Sequence, residues 1–189
     1  MVTITRWRER QERMELSIAR EEAVRLARRV LEVTTQLAAN QKRMTELIQQ
    51  SPAAPLLEMV GVGAVTAAVV LTAWSHPGRV RSEAAFASLA GVNPLPASSG
   101  NTVRHRLNRS GGRRLNRALR TITMTRMTRM THDPGTRGYV AKRTQEGRSY
   151  REIRRSLKRY IARTLYRQLN TLYATAEPAP SQPAGAVSF

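Results

Sequence analysis

The 189-residue sequence contains no cysteine and only three histidines, His76, His105 and His132, far apart along the chain. These absences argue against a disulfide framework and against a tetrahedral zinc site. Long apolar runs are also missing. The longest, Ala64 to Trp74, is well short of the roughly 20 residues that span a bilayer, and the N-terminus lacks the apolar core of a signal peptide. The expectation is a soluble, cytoplasmic protein with no membrane partner. Acidic residues are scarce, 13 Asp and Glu against 32 Lys and Arg, for a net charge of +19. An imbalance of this size points to a polyanionic partner, with nucleic acid first. The length suits one ordinary domain plus an appendage.

The charge is polarised. Between Asn101 and Asn170 there are 20 Lys and Arg against three acids, Asp133, Glu146 and Glu152. The remaining residues carry 12 bases and 10 acids, close to balance. A charge block of this density within structured sequence implies phosphate contacts with strong salt dependence; the bland alternative is a solvated face.

From Leu16 a heptad seam runs through Ala19, Ala23, Leu26, Val30, Val33, Leu37, Asn40, Met44 and Leu47, alternating three and four residues apart. No Pro or Gly interrupts residues 1–50, and the pattern predicts one coiled-coil helix over that range. Asn40 in the seam fixes register at some cost in stability. The stripe would also serve packing on its own chain, but its length favours a homo-oligomer.

Ser51-Pro52 and Pro55 break the helix, and residues 51–173 form a second unit. Leu56 to Val60, then Gly61-Val62-Gly63, then Ala64 to Trp74 read as two apolar helices around a glycine turn, a helix-hairpin-helix-like element. Gly61 and Gly63 would let backbone N–H groups and a helix N-terminus approach a DNA phosphate; equally, they would let two helices turn and pack. Ser82 and Glu83 start a short helix to Ala90, closed by Gly91. In Val103 to Leu107 apolar and basic residues alternate, predicting a short strand or extended arm with Arg104 and Arg106 on one face, followed by Arg109. After Ser110-Gly111-Gly112, an amphipathic helix carries Leu115, Leu119 and Ile122 among Arg113, Arg114, Arg117 and Arg120. Met124, Met127 and Met130 read as core filling. His132-Asp133-Pro134-Gly135 reads as a break before a short helix from Tyr139 to Arg143.

The last helix has the clearest pattern. Ile153, Leu157, Ile161, Leu165 and Leu169 recur every four residues, and so do Arg151, Arg155, Arg159, Arg163 and Arg167, displaced by about 200° around the axis. The apolar ridge must bury, leaving an arginine ladder with few acids to neutralise it. A basic amphipathic helix also suits a membrane surface, but arginine matches phosphate geometry. The tail over 174–189, rich in Pro, Ala and Ser, is expected to be disordered.

Five motifs in order carry a resemblance: Gly61-Val62-Gly63-Ala64-Val65-Thr66-Ala67; Phe86-Ala87-Ser88-Leu89-Ala90-Gly91-Val92-Asn93-Pro94; Ser98-Ser99-Gly100-Asn101-Thr102; Arg106-Leu107-Asn108-Arg109; and Arg113-Arg114-Leu115-Asn116-Arg117-Ala118-Leu119. From about Leu56 to Leu169 the chain resembles the C-terminal transposase domain of the insertion-sequence one-hundred-and-ten family, relatives of the Piv DNA invertase. The preceding coiled coil is similar to that family's arrangement. The resemblance implies a serine nucleophile at Ser99, with Ser98 as the alternative, that attacks a phosphodiester to give a phosphoserine bond. Alone, Ser99 would read as a turn residue before Gly100. The resemblance further implies an RNase H-like domain that binds divalent metal through acidic residues, and an element-encoded structured RNA as a second partner. The first 100 residues contain no Asp, so the metal half is expected to be missing: no metal ligands here, and Mg²⁺ only with that other domain. The expected protein is mainly α, the DNA-binding, nucleophile-bearing portion of a transposase, truncated and inactive in strand transfer by itself. The alternative is a dimeric DNA- or RNA-binding protein without chemistry. Phosphate contacts are expected from Gly61, Gly63, Arg104, Arg106, Arg109, Arg113, Arg114, Arg151, Arg155, Arg159 and Arg163.

Overall fold

The computed structural model describes residues 2–8, 11, 13–97, 105–108, 110–128 and 133–176. The chain divides into two compact units between Glu46 and Leu47. In the first, α1 (Val2–Thr5) precedes the long α2 (Met14–Gln49), so the single helix predicted over residues 1–50 is divided. The division lets the Trp7 ring sit 5.4 Å from the Arg20 guanidinium, a contact that an unbroken helix would not allow between positions so far apart along its axis. The α2 seam faces outward, with Leu26 50% and Leu37 63% exposed. Flanking pairs such as Arg29–Glu32 at 2.9 Å decorate the helix surface. At its end, the Ser51 hydroxyl donates to the Ile48 carbonyl at 2.7 Å and accepts from Ala53 N at 3.2 Å, which turns the chain.

The second unit begins with a 3₁₀ turn, Ala54–Glu58, where an α-helix was expected. Five residues with Pro55 near the start cannot sustain α-helical hydrogen bonding, so a single tight turn stands where the first limb of a helix-hairpin-helix-like element was expected. It leads to α3 (Ala64–Trp74), which is apolar nearly all round and buried through Ala67, Val70 and Trp74. Next come α4 (Glu83–Leu89), capped by the Ser82 hydroxyl accepting from Ala85 N at 3.1 Å, and a two-stranded antiparallel ladder, β1 (Pro94–Pro96) with β2 (His105–Leu107). Pro94 pairs with Leu107, Leu95 with Arg106 and Pro96 with His105. The expected arm is therefore one side of a ladder.

Three helices complete the unit: α5 (Arg113–Thr128), α6 (Pro134–Gln145) and α7 (Tyr150–Ala176). Helix α6 is longer than the predicted Tyr139–Arg143 segment, because Asp133 and Pro134 start it. The Asp133 carboxylate accepts from Thr136 N at 3.2 Å, and Pro134 occupies the first turn. Helix α7 continues three residues into the segment expected to be tail, with the Thr175 hydroxyl bonded to the Thr171 carbonyl at 2.8 Å. Residues 177–189 and Met130 lie outside the described residues.

Helix α3 packs on α5, and α4 and α5 pack on α7. Between them Leu119, Ile122, Ile161, Leu165 and Leu169 are fully buried with Trp74 and Phe86, so the apolar ridge of α7 is the spine of the core. Trp74 packs against Tyr173 with the rings tilted by 48° and their centres 4.8 Å apart, and it donates from Nε1 to Asn170 Oδ1 at 3.3 Å. Gly61, at φ +83°, has room for no side chain: a Cβ would lie 2.9 Å from the Ile122 carbonyl oxygen.

Candidate nucleic-acid interface

The turn that follows α4 sets the position of the ladder. A Cβ on Gly111 would overlap the backbone of Gly91, so the two loop backbones meet directly, and Gly112 N donates to the Leu89 carbonyl at 2.7 Å. Asn108 bridges the same region, donating to Asn93 Oδ1 at 2.6 Å and accepting from the Ser110 hydroxyl at 2.6 Å. These contacts anchor the base of β1 and β2 beside α7.

Beside that base lies a groove of about 520 Å³, walled by Gly91 to Pro94, His105 to Leu107, Tyr139 and Arg143 of α6, and the first turns of α7. Its cations are Arg106, Arg143, Arg148, Arg155, Lys158 and Arg159, against one carboxylate, Glu152. Glu152 is committed elsewhere. Its carboxylate accepts from Ser149 N at 2.9 Å and from the Ser149 hydroxyl at 2.8 Å, closing a capping box at the start of α7, and it pairs with Arg148 at 3.6 Å. The hydrogen bonds from Ser149 hold its pKa below the usual carboxylate value. Arg143 is paired with Glu146 at 2.7 Å. Among the described residues, no carboxylate pairs with Arg106, Arg155, Lys158 or Arg159. The wall is thus a concentrated positive field, which draws and holds polyanions.

The expected contact residues divide into groups. Arg106, Arg155 and Arg159 come together in the groove. Arg113, Arg114 and Arg151 are exposed outside its lining. Arg163 is drawn away: with Arg167 it faces Glu83 of α4, Arg163 at 3.9 Å and Arg167 Nη2 at 3.0 Å. Helix α4 therefore supplies one acid that partly offsets the charge of the last two arginines of the ladder. Gly61 packs against α5, whereas Gly63 is exposed at the start of α3, where an added methyl group would meet nothing within 4 Å. Ser98, Ser99, Arg104 and Arg109 lie outside the described residues; Ser99 is three positions beyond Pro96, where the ladder ends.

Sequence reasoning missed Lys158 and Asn116. Lys158 precedes a ladder arginine and follows the apolar Leu157, so it lies at the border of the two faces, outside either period-four row. Its partner Asn116 stands on α5 within the Arg113–Leu119 motif, but nothing in the sequence pairs the two residues. The residues of the groove do not fit a divalent metal. Ammonium and guanidinium groups repel one, and among the described residues no group of three His, Cys, Asp or Glu could hold a metal ion.

The molecule is thus a mainly α protein whose second unit presents a strongly cationic groove next to a short ladder. Residues 53–141 match the model of the transposase family IS116/IS110/IS902. The chain is also 30% identical, over 158 residues, to the insertion element IS110 uncharacterized 43.6 kDa protein of Streptomyces coelicolor. That match covers 82% of this chain and 38% of the relative, so the chain spans well under half of the relative's length. It carries an IS110-family transposase domain. The family match contains the ladder and α5 and ends within α6, so α7, which supplies much of the groove, lies beyond it. Among the described residues no helix is long and apolar enough to cross a membrane.

Proposed function

We propose that this chain is the DNA-binding, nucleophile-bearing part of an insertion-sequence transposase, acting in strand cleavage and rejoining. The observation that carries the reading is the unneutralised cationic groove at the base of the ladder, whose connecting segment contains Ser98-Ser99-Gly100. Arg106, Arg155 and Arg159 hold the phosphodiester backbone without reading base sequence. Ser99 is the nucleophile: its oxygen attacks phosphorus, a strand oxygen leaves, and the phosphoserine bond keeps the energy for rejoining. Guanidinium groups nearby stabilise the negative charge that builds on the phosphorane. The divalent metal implied by the family is supplied by its RNase H-like domain.

Two further parts belong to this reading. Gly63 N donates to the Thr66 hydroxyl at 3.0 Å, and the first turn of α3 that this exposed glycine opens offers its backbone N–H groups to a second phosphate in the helix-hairpin-helix manner. The outward α2 seam pairs with another copy as a coiled coil. An element-encoded structured RNA is a second polyanion for the exposed arginines outside the groove.

The test is a strand-cleavage assay on supercoiled element-end DNA with Mg²⁺, the RNase H-like domain and the RNA. A covalent protein–DNA adduct that disappears in Ser99→Ala, with binding retained, is the expected result. Adduct formation that survives Ser99→Ala would overturn the nucleophile assignment, and binding with no adduct in either form would leave a non-catalytic DNA-binding module.

A further inference from the structure

Lys158 is the one lysine in the groove and its least ordinary member. Its ammonium group, half-buried, donates to Asn116 Oδ1 at 2.8 Å. Asn116 is itself fixed, because its Nδ2 donates to the Ala90 carbonyl at 2.7 Å, so it presents its oxygen to Lys158 as a neutral dipole. Burial foremost, then the positive charges of Arg154 and Arg120, push the lysine pKa below its ordinary value. No carboxylate pairs with it among the described residues, and Glu152, the one acid in the lining, is held by Ser149 and Arg148. A half-buried cation pressed by like charges and steadied by an amide destabilises the free protein.

We propose that Lys158, braced by Asn116 and joined by Arg155, Arg159 and Arg106, is the inner ligand of a pocket for a single phosphate group, and that this phosphate is a phosphodiester of bound DNA. The identity of the source rests on the DNA-binding reading above; the pocket itself rests on the geometry around Lys158. Three donors on the ammonium leave hydrogen-bonding capacity after Asn116 is satisfied, enough to meet phosphate oxygens directly. Arg155 and Arg159 lie on the same stretch of α7, and Arg106 comes from β2. One bound phosphate would therefore tie the ladder to α7.

A merely structural lysine would be a cross-link between α7 and α5, and removing it would weaken the fold. A phosphate ligand behaves in the opposite way: loss of the charge relieves the free protein and weakens the complex. Lys158→Met keeps the aliphatic stem, and Lys158→Gln keeps a donor for Asn116. Both are to be compared with the wild-type chain in thermal unfolding, in chloride and in inorganic phosphate at matched ionic strength, and in duplex DNA binding by fluorescence anisotropy across salt. The expected result is a Tm in chloride equal to or above wild type, a phosphate-dependent rise in Tm seen only in wild type, DNA affinity lower by roughly ten-fold, and a salt slope shallower by about 1. Wild-type DNA binding with an unchanged slope in both variants would overturn the proposal and leave the DNA-binding reading standing. Phosphate stabilisation lost in both variants, with no DNA binding by wild type, would support the pocket and sink the DNA source. A lower Tm in chloride with no phosphate effect would make Lys158 a cross-link and overturn the proposal.

Discussion

Asp133 shows how closely single residues are committed in this fold. It caps α6, its carboxylate accepting from the Thr136 hydroxyl at 2.6 Å, and it stands 4.0 Å from Arg126. Arg126 in turn donates from Nε to the Val60 carbonyl at 2.8 Å, joining α5 to the turn before α3. Burial pushes the Asp133 carboxyl up, but the hydrogen bonds from Thr136 and the Arg126 charge outweigh it, and the pKa is lowered. A carboxyl lowered by folding stabilises above its unfolded pKa and loses that contribution as pH falls through the folded one. Asp133→Asn should therefore be less stable than wild type at neutral pH in urea unfolding, with the difference shrinking in acid; a constant difference would show that charge is not the cause. Glycines separate in the same way. Gly111→Ala forces a methyl group into the Gly91 backbone and should cost about 2–3 kcal/mol. Gly63→Ala meets nothing and should cost less than about 1 kcal/mol, the difference between Gly and Ala at a cap. A clear fall in DNA affinity for Gly63→Ala, with the fold intact, is the expected sign of backbone contact at α3.

At the scale of elements, α7 joins core and interface, since its apolar ridge is buried while Arg155 and Arg159 wall the groove. Its start depends on the Ser149–Glu152 capping box, so Ser149→Ala should destabilise by about 1 kcal/mol in chemical unfolding. Glu83 sets how much of the arginine ladder is free. The Arg167 hydrogen bond first, joined by the Arg167 and Arg163 charges, outweighs the opposing effect of burial and lowers its pKa. Glu83→Gln should release both arginines and tighten DNA binding in anisotropy measurements; weaker binding would mean that the ion pairs shape the interface. The two ridges of α7 were legible in the sequence because they repeat over many turns. The pairing with Glu83 was not, since it joins α4 to residues some 80 positions later. Asp133-Pro134 was legible as the punctuation between α5 and α6, but its second role, an acid followed by proline starting a helix, was not read, so α6 was placed five residues late. The 3₁₀ turn at Ala54–Glu58 escaped because apolar composition alone does not set helix type over five residues.

Across the molecule, the proposed function assigns partners to two surfaces: the outward seam of the first unit and the groove of the second. Leu26→Asp with Leu37→Asp places charges in the seam and should convert an oligomer to a monomer in light scattering, while circular dichroism shows whether the helix survives; a wild-type chain that is already monomeric would contradict pairing through α2. The groove is tested most directly by the salt dependence of duplex DNA binding. Four unneutralised cations in contact with phosphates give a log–log slope of about −3.6, and Arg155→Ala with Arg159→Ala should make it shallower by about 2. A slope that both substitutions leave unchanged would place the DNA elsewhere and contradict the assignment of the groove.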